Sequence, residues 1–392
     1  MIGALSIDAY LPALPFIAKG FGVSAALAQQ TLTAYLFAYS FMTLFYGTLS
    51  DSFGRKPVIL ASLAVYLAGS IGCAASDSVG WLMTFRVLQG LSAGAGSVVG
   101  RAIVGDLLSG AEAQRAMAYI SMIFSLAPAI APILGGWLQA EFGWRAIFLS
   151  IAAFTLALFV VCQQGLVESL PAEKRHPFHF KVVVANYIEV GAHSDFMLMS
   201  LANALAFFGI LLYVGAAPAF VMTILHLSVK EFGWLFLPIM GGFIAGSTLS
   251  GKLSHKCAPQ TLIRAGFTIM AVSAVVNVAY AKMFVAAVPW AVLPLGFYGL
   301  GISLATPAMT VLSLSLFPRV RGLAASLQGF TFMIVFAIGS GVICPLVFDS
   351  AYHLSLALMG GMVLSAICWW LGTRSTVVAV PSPVEFSLSG QD

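Results

Sequence analysis

Twelve apolar runs follow one another along this chain, each near or beyond the length of a membrane-crossing helix. They cover residues 1–18, 25–49, 57–75, 79–104, 116–138, 144–167, 196–223, 232–249, 262–281, 285–316, 323–348 and 354–371. About 20 apolar residues cross the hydrocarbon core as a helix, and the longer runs imply tilt or interfacial ends. Only helices and closed barrels satisfy every backbone polar group in lipid. The two-residue alternation of a lipid-facing barrel is absent. The expected fold class is therefore an all-α membrane protein with twelve transmembrane helices. Composition agrees: 8% of the 392 residues are charged, against about 25% in soluble domains. No basic segment precedes the first run, so a cleaved signal peptide is not expected.

The loops give an orientation. With both termini placed in the cytoplasm, Arg55, Lys56, Arg101, Arg115, Lys174, Arg175, Lys181, Lys252, Lys256, Arg264, Arg319, Arg321 and Arg374 make 13 cytoplasmic cations. Lys19, Arg145, Lys230 and Lys282 make 4 on the other side, and Arg86 lies inside a span. Thirteen against four is a positive-inside asymmetry. The expectation is a multi-pass protein of a bacterial cytoplasmic (inner) membrane with both termini cytoplasmic. The net charge of +4 comes from these loops, and no nucleic-acid partner is expected. Cys73, Cys162, Cys257, Cys344 and Cys368 are widely separated. They read as small apolar fillers, and no metal site is expected.

The longest loop divides the chain into two sets of six runs. The expected organisation is an N-terminal half at 1–167, a cytoplasmic central loop at 168–195, a C-terminal half at 196–374 and a cytoplasmic tail at 375–392. The halves echo each other. "GTLSDSFGRKPVIL" begins at Gly47 and "GKLSHKCAPQTLI" at Gly251, 204 residues on; "RAMAYISMIF" begins at Arg115 and "RGLAASLQGF" at Arg321, 206 residues on. Repeats of six spans keep the same topology, which implies a pseudo-two-fold along the membrane normal and a site between the halves near the midplane.

Of the 14 acidic residues, Asp8 alone falls inside an apolar run, and among the cations only Arg86 lies well inside one. A charge there costs at least about 2.5–3.5 kcal/mol on insertion scales and marks function by default. Counted along their helices, the two differ in depth by on the order of 5 Å, which long side chains or a water can bridge. Two readings stand: a proton switch in which Asp8 alternately binds and releases a proton as its access and its distance to Arg86 change, or a static ion pair between the first and fourth helices.

Other motifs are local. In "GTLSDSFGRKP", Gly47 ends a helix and admits another closely. Asp51 can face a helix N-terminus, Gly54 permits a tight turn, and Arg55 and Lys56 hold the cytoplasmic side. Arg55, Asp51 and Asp106 form a second charged group, on the cytoplasmic side, whose plain reading is solvated surface charges. Span 4 carries Gly90, Gly94, Gly96 and Gly100, read first as packing positions. In "APAIAPILGG", Pro128, Pro132, Gly135 and Gly136 bend the fifth span and let it pack tightly. Tyr35, Tyr39, Gln89, Asn203 and Gln328 are polar groups within spans and candidates to line a cavity, or else helix-packing hydrogen bonds. Abundant phenylalanine suits hydrophobic, weakly polar ligands.

These motifs resemble those of the major facilitator superfamily. "GTLSDSFGRKP" is similar to its signature loop between helices 2 and 3, and "RVLQG" with Gly94 and Gly96 to its helix-4 motif. "APAIAPILGG" resembles the helix-5 motif of proton-coupled exporters, with Pro128 where many members pair a Gly and a Pro. "DAYLPALP" resembles the helix-1 signature of the Bcr/CflA-type drug:proton antiporters. The resemblance implies the major facilitator fold and a charge relay through Gly47, Asp51, Gly54, Arg55 and Asp106 that latches one conformation. The second repeat has His255 in place of Asp51 and lacks Gly-Arg-Lys, so the relay is expected on one side only. It also implies more helix before the aspartate than the seven residues found here.

The expected function is alternating-access export of small, mostly hydrophobic compounds, such as bicyclomycin- or chloramphenicol-like drugs, in exchange for protons, with multidrug efflux and antibiotic resistance as the outcome. The alternative is proton-coupled transport of a natural metabolite on the same fold. Expected partners are the small-molecule substrate, protons and membrane lipid, with the protein a monomer. No cofactor is expected, since the proton gradient drives the cycle. Catalytic activity is not expected: His176, His179, His193, His226, His255 and His353 fall in loops or at span edges, and no nucleophile, zinc-binding or P-loop pattern appears.

Overall fold

The computed structural model describes residues 2–175, 180–254, 256–318 and 320–374. His176, His179, His255, Arg319 and the tail at 375–392 lie outside them. The described residues are almost entirely helical. The first span is broken into α1 (Ile2–Asp8) and α2 (Leu14–Phe21), with a 3-10 turn at Leu11–Ala13 between them. Proline lacks a backbone N–H, which costs least in a helix's first turn, where that group has no intrahelical partner. Pro12 and Pro15 each sit at such a start, so the chain stops after Asp8 and begins again twice.

The second span is also bent. Helices α3 (Ala25–Thr43) and α4 (Tyr46–Phe53) meet at 51°. Then follow α5 (Arg55–Ala75), α6 (Val79–Ala93), α7 (Ala95–Leu107), α8 (Gly110–Phe142) and α9 (Trp144–Gly165). Helices α6 and α7 run on as one span, and α8 passes through Pro128 and Pro132 as a single helix. After the central segment come α10 (Phe180–Gly191), α11 (Ser194–Gly215), α12 (Gly233–Leu253), α13 (Pro259–Met283) and α14 (Leu293–Leu314). The chain closes with α15 (Arg321–Ile338), the short α16 (Cys344–Val347) and α17 (Ala351–Thr373). Among the described residues nine helices are long and apolar enough to cross a membrane, and the bent α3–α4 pair makes ten. The broken first segment and α8 complete twelve.

Three expectations need correction. The seventh span ends at Gly215 and gives way to a π-helical turn at Ala219–Ile224, just after Pro218. The tenth begins at Leu293, because Pro289 lies within the apolar residues before it. The eleventh stands as one span at Arg321–Val347, with a π-helical turn at Gly339–Ile343 before Pro345. The central segment, read as loop, contains α10; Val183 and Val190, seven residues apart, are its buried face.

In the first half α3 packs on α6, and α5 on α6 and α9; in the second, α11 packs on α17, and α14 on α12 and α13. Some of these approaches require glycine. A Cβ on Gly90 would lie 2.3 Å from the Tyr35 carbonyl oxygen, and one on Gly242 only 1.9 Å from that of Gly296. Gly96 and Gly100, grouped with Gly90 in the sequence, have nothing within 4 Å of that position. The halves meet where α15 contacts α3 and α12 contacts α8.

Candidate functional site: a one-sided cavity between the halves

The turn between α4 and α5 needs a residue at φ +98°, and Gly54 supplies it. Gly54 has no side chain to cap α5, so the cap comes from Glu168, after α9. Its Oε1 accepts from the Arg55 backbone N–H at 2.9 Å and its Oε2 from that of Lys56 at 3.3 Å. Asp51 therefore does not cap this N-terminus. Its Oδ1 lies 2.5 Å from Arg55 Nη1 instead, while Arg55 Nε donates to Asp106 Oδ2 at 2.9 Å. The Arg55 side chain is almost buried, and Ser50 Oγ accepts a further bond from Nη1 at 2.7 Å. Ser169 Oγ also bonds Asp106 Oδ2 at 2.9 Å. Sequence reasoning missed Glu168 and Ser169. The one available signal was a helix start with no capping side chain of its own.

Asp8 and Arg86 are both buried, at 6% and 0% exposure, but the structure contains no ion pair between them. Arg86 is held by aromatic rings, its guanidinium carbon 4.2 Å from the Tyr35 centroid and 4.6 Å from that of Tyr10. Its Nη1 donates to Gln89 Oε1 at 2.9 Å, and Gln89 Nε2 donates to Ser70 Oγ at 2.8 Å. Arg86 Nε and Nη2 have no partner among the described residues. The cage is pinned to neighbouring helices: Tyr10 and Thr31 hydroxyls lie 2.6 Å apart, and Tyr35 donates to the Gly3 carbonyl at 3.1 Å. Ser6 bonds the Tyr66 hydroxyl. Asp8, at the end of α1, has no hydrogen-bonded or ionic partner for its carboxylate among the described residues.

On the face that carries Arg55, a cavity of 620 Å³ separates the halves. Of the five candidate lining residues only Tyr39 borders it. Tyr35 and Gln89 belong to the Arg86 cage. Asn203 donates to Thr310 Oγ1 at 3.1 Å and Gln328 to Ser313 Oγ at 3.1 Å, tying helices within the second half. Gly47, expected to end a helix and admit a neighbour, lies in the first turn of α4 and borders the cavity, with nothing within 4 Å of where a Cβ would be.

On the opposite face contacts cross between the halves. Gln29 Nε2 donates to Ser340 Oγ at 2.8 Å, and Gln30 Nε2 to the Gly341 carbonyl at 2.8 Å. Lys230 Nζ and Glu141 Oε1 lie 2.6 Å apart. Of the helix-5 glycines, Gly136 serves this closure, a Cβ on it lying 2.2 Å from the Val229 carbonyl oxygen across the halves, whereas one on Gly135 would lie 2.1 Å from that of Ala9 within the first half.

Residues 1–186 match the family model described as Major Facilitator Superfamily. A relative in Bacillus subtilis, described as the uncharacterized MFS-type transporter YdgK, is 34% identical over 280 residues, covering 70% of this chain and 69% of that protein. This chain belongs to the major facilitator superfamily. The facilitator also resembles the bicyclomycin resistance protein homolog of Haemophilus influenzae, at 28% identity over 95% of this chain and 94% of that one. Multidrug resistance protein D of Escherichia coli is 26% identical over 95% and 93% of the two chains. The fold is shared with the crystal structure of a bacterial homolog of the human lysosomal transporter Spinster, in an inward-facing and unoccupied conformation, at a TM-score of 0.72, 18% identity and 97% coverage of both chains. A D-xylose-proton symporter superimposes at a TM-score of 0.71 and 15% identity, over 94% of this chain and 95% of that one. The protein is thus a multi-pass membrane transporter, and a small-molecule substrate follows from the superfamily.

Proposed function

We propose that this facilitator is a proton-driven exporter of the Bcr/CflA drug:proton antiporter type. Its substrates are small, mostly hydrophobic compounds, with bicyclomycin- and chloramphenicol-like antibiotics the first to test. The names of the relatives support the substrate class: one is a bicyclomycin resistance protein homolog and another a chloramphenicol resistance protein of Pseudomonas aeruginosa, 26% identical over 82% of this chain. In this reading the Arg55 face is cytoplasmic in a bacterial inner membrane, both termini lie on that side, and the monomer works without a cofactor.

The observation that carries the proton role is Asp8, a buried carboxylate at a helix break without a partner among the described residues. An isolated charge there is expensive, and taking up a proton removes the cost. Ala9, the next residue, bears on Gly135 of α8, so relative movement of α1 and α8 changes the surroundings of Asp8. Each proton entering down the potential supplies about 2.3 kcal/mol per 100 mV, which rocking of one half against the other couples to export. The relay at Asp51, Arg55 and Asp106 stiffens the first half on the cavity side. The test is chloramphenicol transport in proteoliposomes under an imposed pH gradient. Wild type should show gradient-driven, protonophore-sensitive flux, and Asp8→Asn should lose it while remaining folded and inserted. Undiminished gradient-driven flux in Asp8→Asn would sink the proposal.

A further inference from the structure

The inter-half cavity has two unlike walls. The first half contributes Tyr39, Ser97 and Arg101 among other polar groups, with Val98 and Ala102 beside them, and the second contributes mostly apolar side chains, Leu323, Phe332 and Met333, with Ser326. A ligand that fills such a space is amphiphilic, with its polar end toward α7. The charges on the polar wall are unequal in availability. Arg55 borders the cavity but is matched by Asp51 at 2.5 Å and Asp106 at 2.9 Å. Arg101 borders the same cavity, is exposed to it, and forms no ion pair among the described residues. Ser97 and Arg101 are four residues apart on α7 and so share a face. Tyr39, on α3, lines the same cavity.

We infer that Arg101 determines the charge preference of this cavity, selecting amphiphiles whose polar end is a carboxylate or similar oxyanion and disfavouring lipophilic cations. The inference rests on the reading of the cavity as the transport site. A guanidinium presents a planar fork of donors that matches a carboxylate with two parallel hydrogen bonds. The low-dielectric wall opposite raises the worth of that pairing above its value in water. A cation entering the same space meets an unmatched like charge, and such juxtapositions act as discrimination against the wrong ligand. Asp51 lines the same cavity and shares Arg55 with Asp106, so the preference belongs to a ligand end that reaches the Arg101 guanidinium itself and not to the net charge of the wall.

Three forms of one alkyl-linked fluorophore, ending in a carboxylate, a neutral carboxamide or a quaternary ammonium, test the assignment. Binding is measured by fluorescence anisotropy on the purified full-length protein. Wild type should bind the carboxylate about tenfold more tightly than the ammonium. Arg101→Gln should bring the two together, lowering carboxylate affinity more than carboxamide affinity, Arg101→Glu should reverse the order, and Arg101→Lys should restore part of the preference. Equal binding of the three probes by wild type, no binding of the carboxylate, or a preference that survives Arg101→Gln would overturn the inference. Gradient-driven flux of the carboxamide in proteoliposomes reports separately on the proposed function. Its absence alongside an Arg101-dependent preference would count against proton-driven export and leave the charge assignment standing.

Discussion

Glu168 holds the start of α5 from 113 residues away, and its chemistry makes that hold dependent on pH. Burial opposes its charge, but the N–H groups of Leu170, Arg55 and Lys56 and the Arg175 guanidinium outweigh it and keep the carboxyl below its ordinary range. A carboxyl with a depressed value in the folded state adds stability above the ordinary glutamate range and loses it as pH falls through the folded value. Glu168→Gln should therefore cost about 1 kcal/mol at neutral pH, the size of a lost helix cap. The difference in melting temperature from wild type should shrink as the solution is made acidic, which fluorescence-detected melting across a pH series checks. At this scale the sequence disclosed residue types and not partners. Gly54, Arg55, Asp51 and Asp106 come together because three of them lie within five residues in one motif and Asp106 meets them at the end of the fourth span. Glu168 was invisible because its link to the loop is set by where α9 ends in space. The depth argument for Asp8 and Arg86 placed both in the interior, yet the cation went to Tyr10 and Tyr35, since rings in neighbouring turns and helices offer it a partner that no charge census counts.

Helices were legible wherever apolar residues ran on without interruption, and their breaks were legible only where proline stood at the right position. Pro12 and Pro15 marked the break after Asp8, whereas the 51° bend between α3 and α4 has no proline at all. The polar surroundings of α10 hid its short apolar face. Glycine was the most ambiguous signal, since the residue type alone does not say which face meets a neighbour. Gly135 and Gly100 illustrate this: a Cβ at the first would lie 2.1 Å from the Ala9 carbonyl, and at the second would meet nothing within 4 Å. Gly135→Leu should push α8 away from the residue beside Asp8. Overpacking of this kind costs about 1–3 kcal/mol, and gradient-driven transport should fall with it. Gly100→Leu should leave melting temperature and transport near wild type. Melting and flux measured on the two variants side by side separate the close approach from a general intolerance of bulk in these spans.

Across the whole molecule, the two faces differ in whether side chains join the halves. On the cavity face the Arg55 relay lies within the first half and does not bridge to the second. On the opposite face Gln29 and Gln30 of α3 cross to Ser340 and to the carbonyl of Gly341. Alternating access requires this seal to break while a new one forms on the cavity side, so the seal must be weak enough to open. A net hydrogen bond contributes about 1 kcal/mol, and the two together bias the equilibrium by roughly thirtyfold. The Lys230–Glu141 pair joins the same face, but its side chains are 53% and 45% exposed, and such pairs contribute little. The two glutamines, not the ion pair, should therefore set how long this face stays shut. Spin labels at Thr48 and Ala325, which border the cavity from opposite halves, report the separation directly. In the Gln29→Ala, Gln30→Ala double variant the distance distribution should shift toward the shorter separation of a closed cavity face, whereas Lys230→Met should leave it close to that of the parent. A shift in Lys230→Met as large as that in the double variant would show that the exposed pair, and not the buried hydrogen bonds, controls the state.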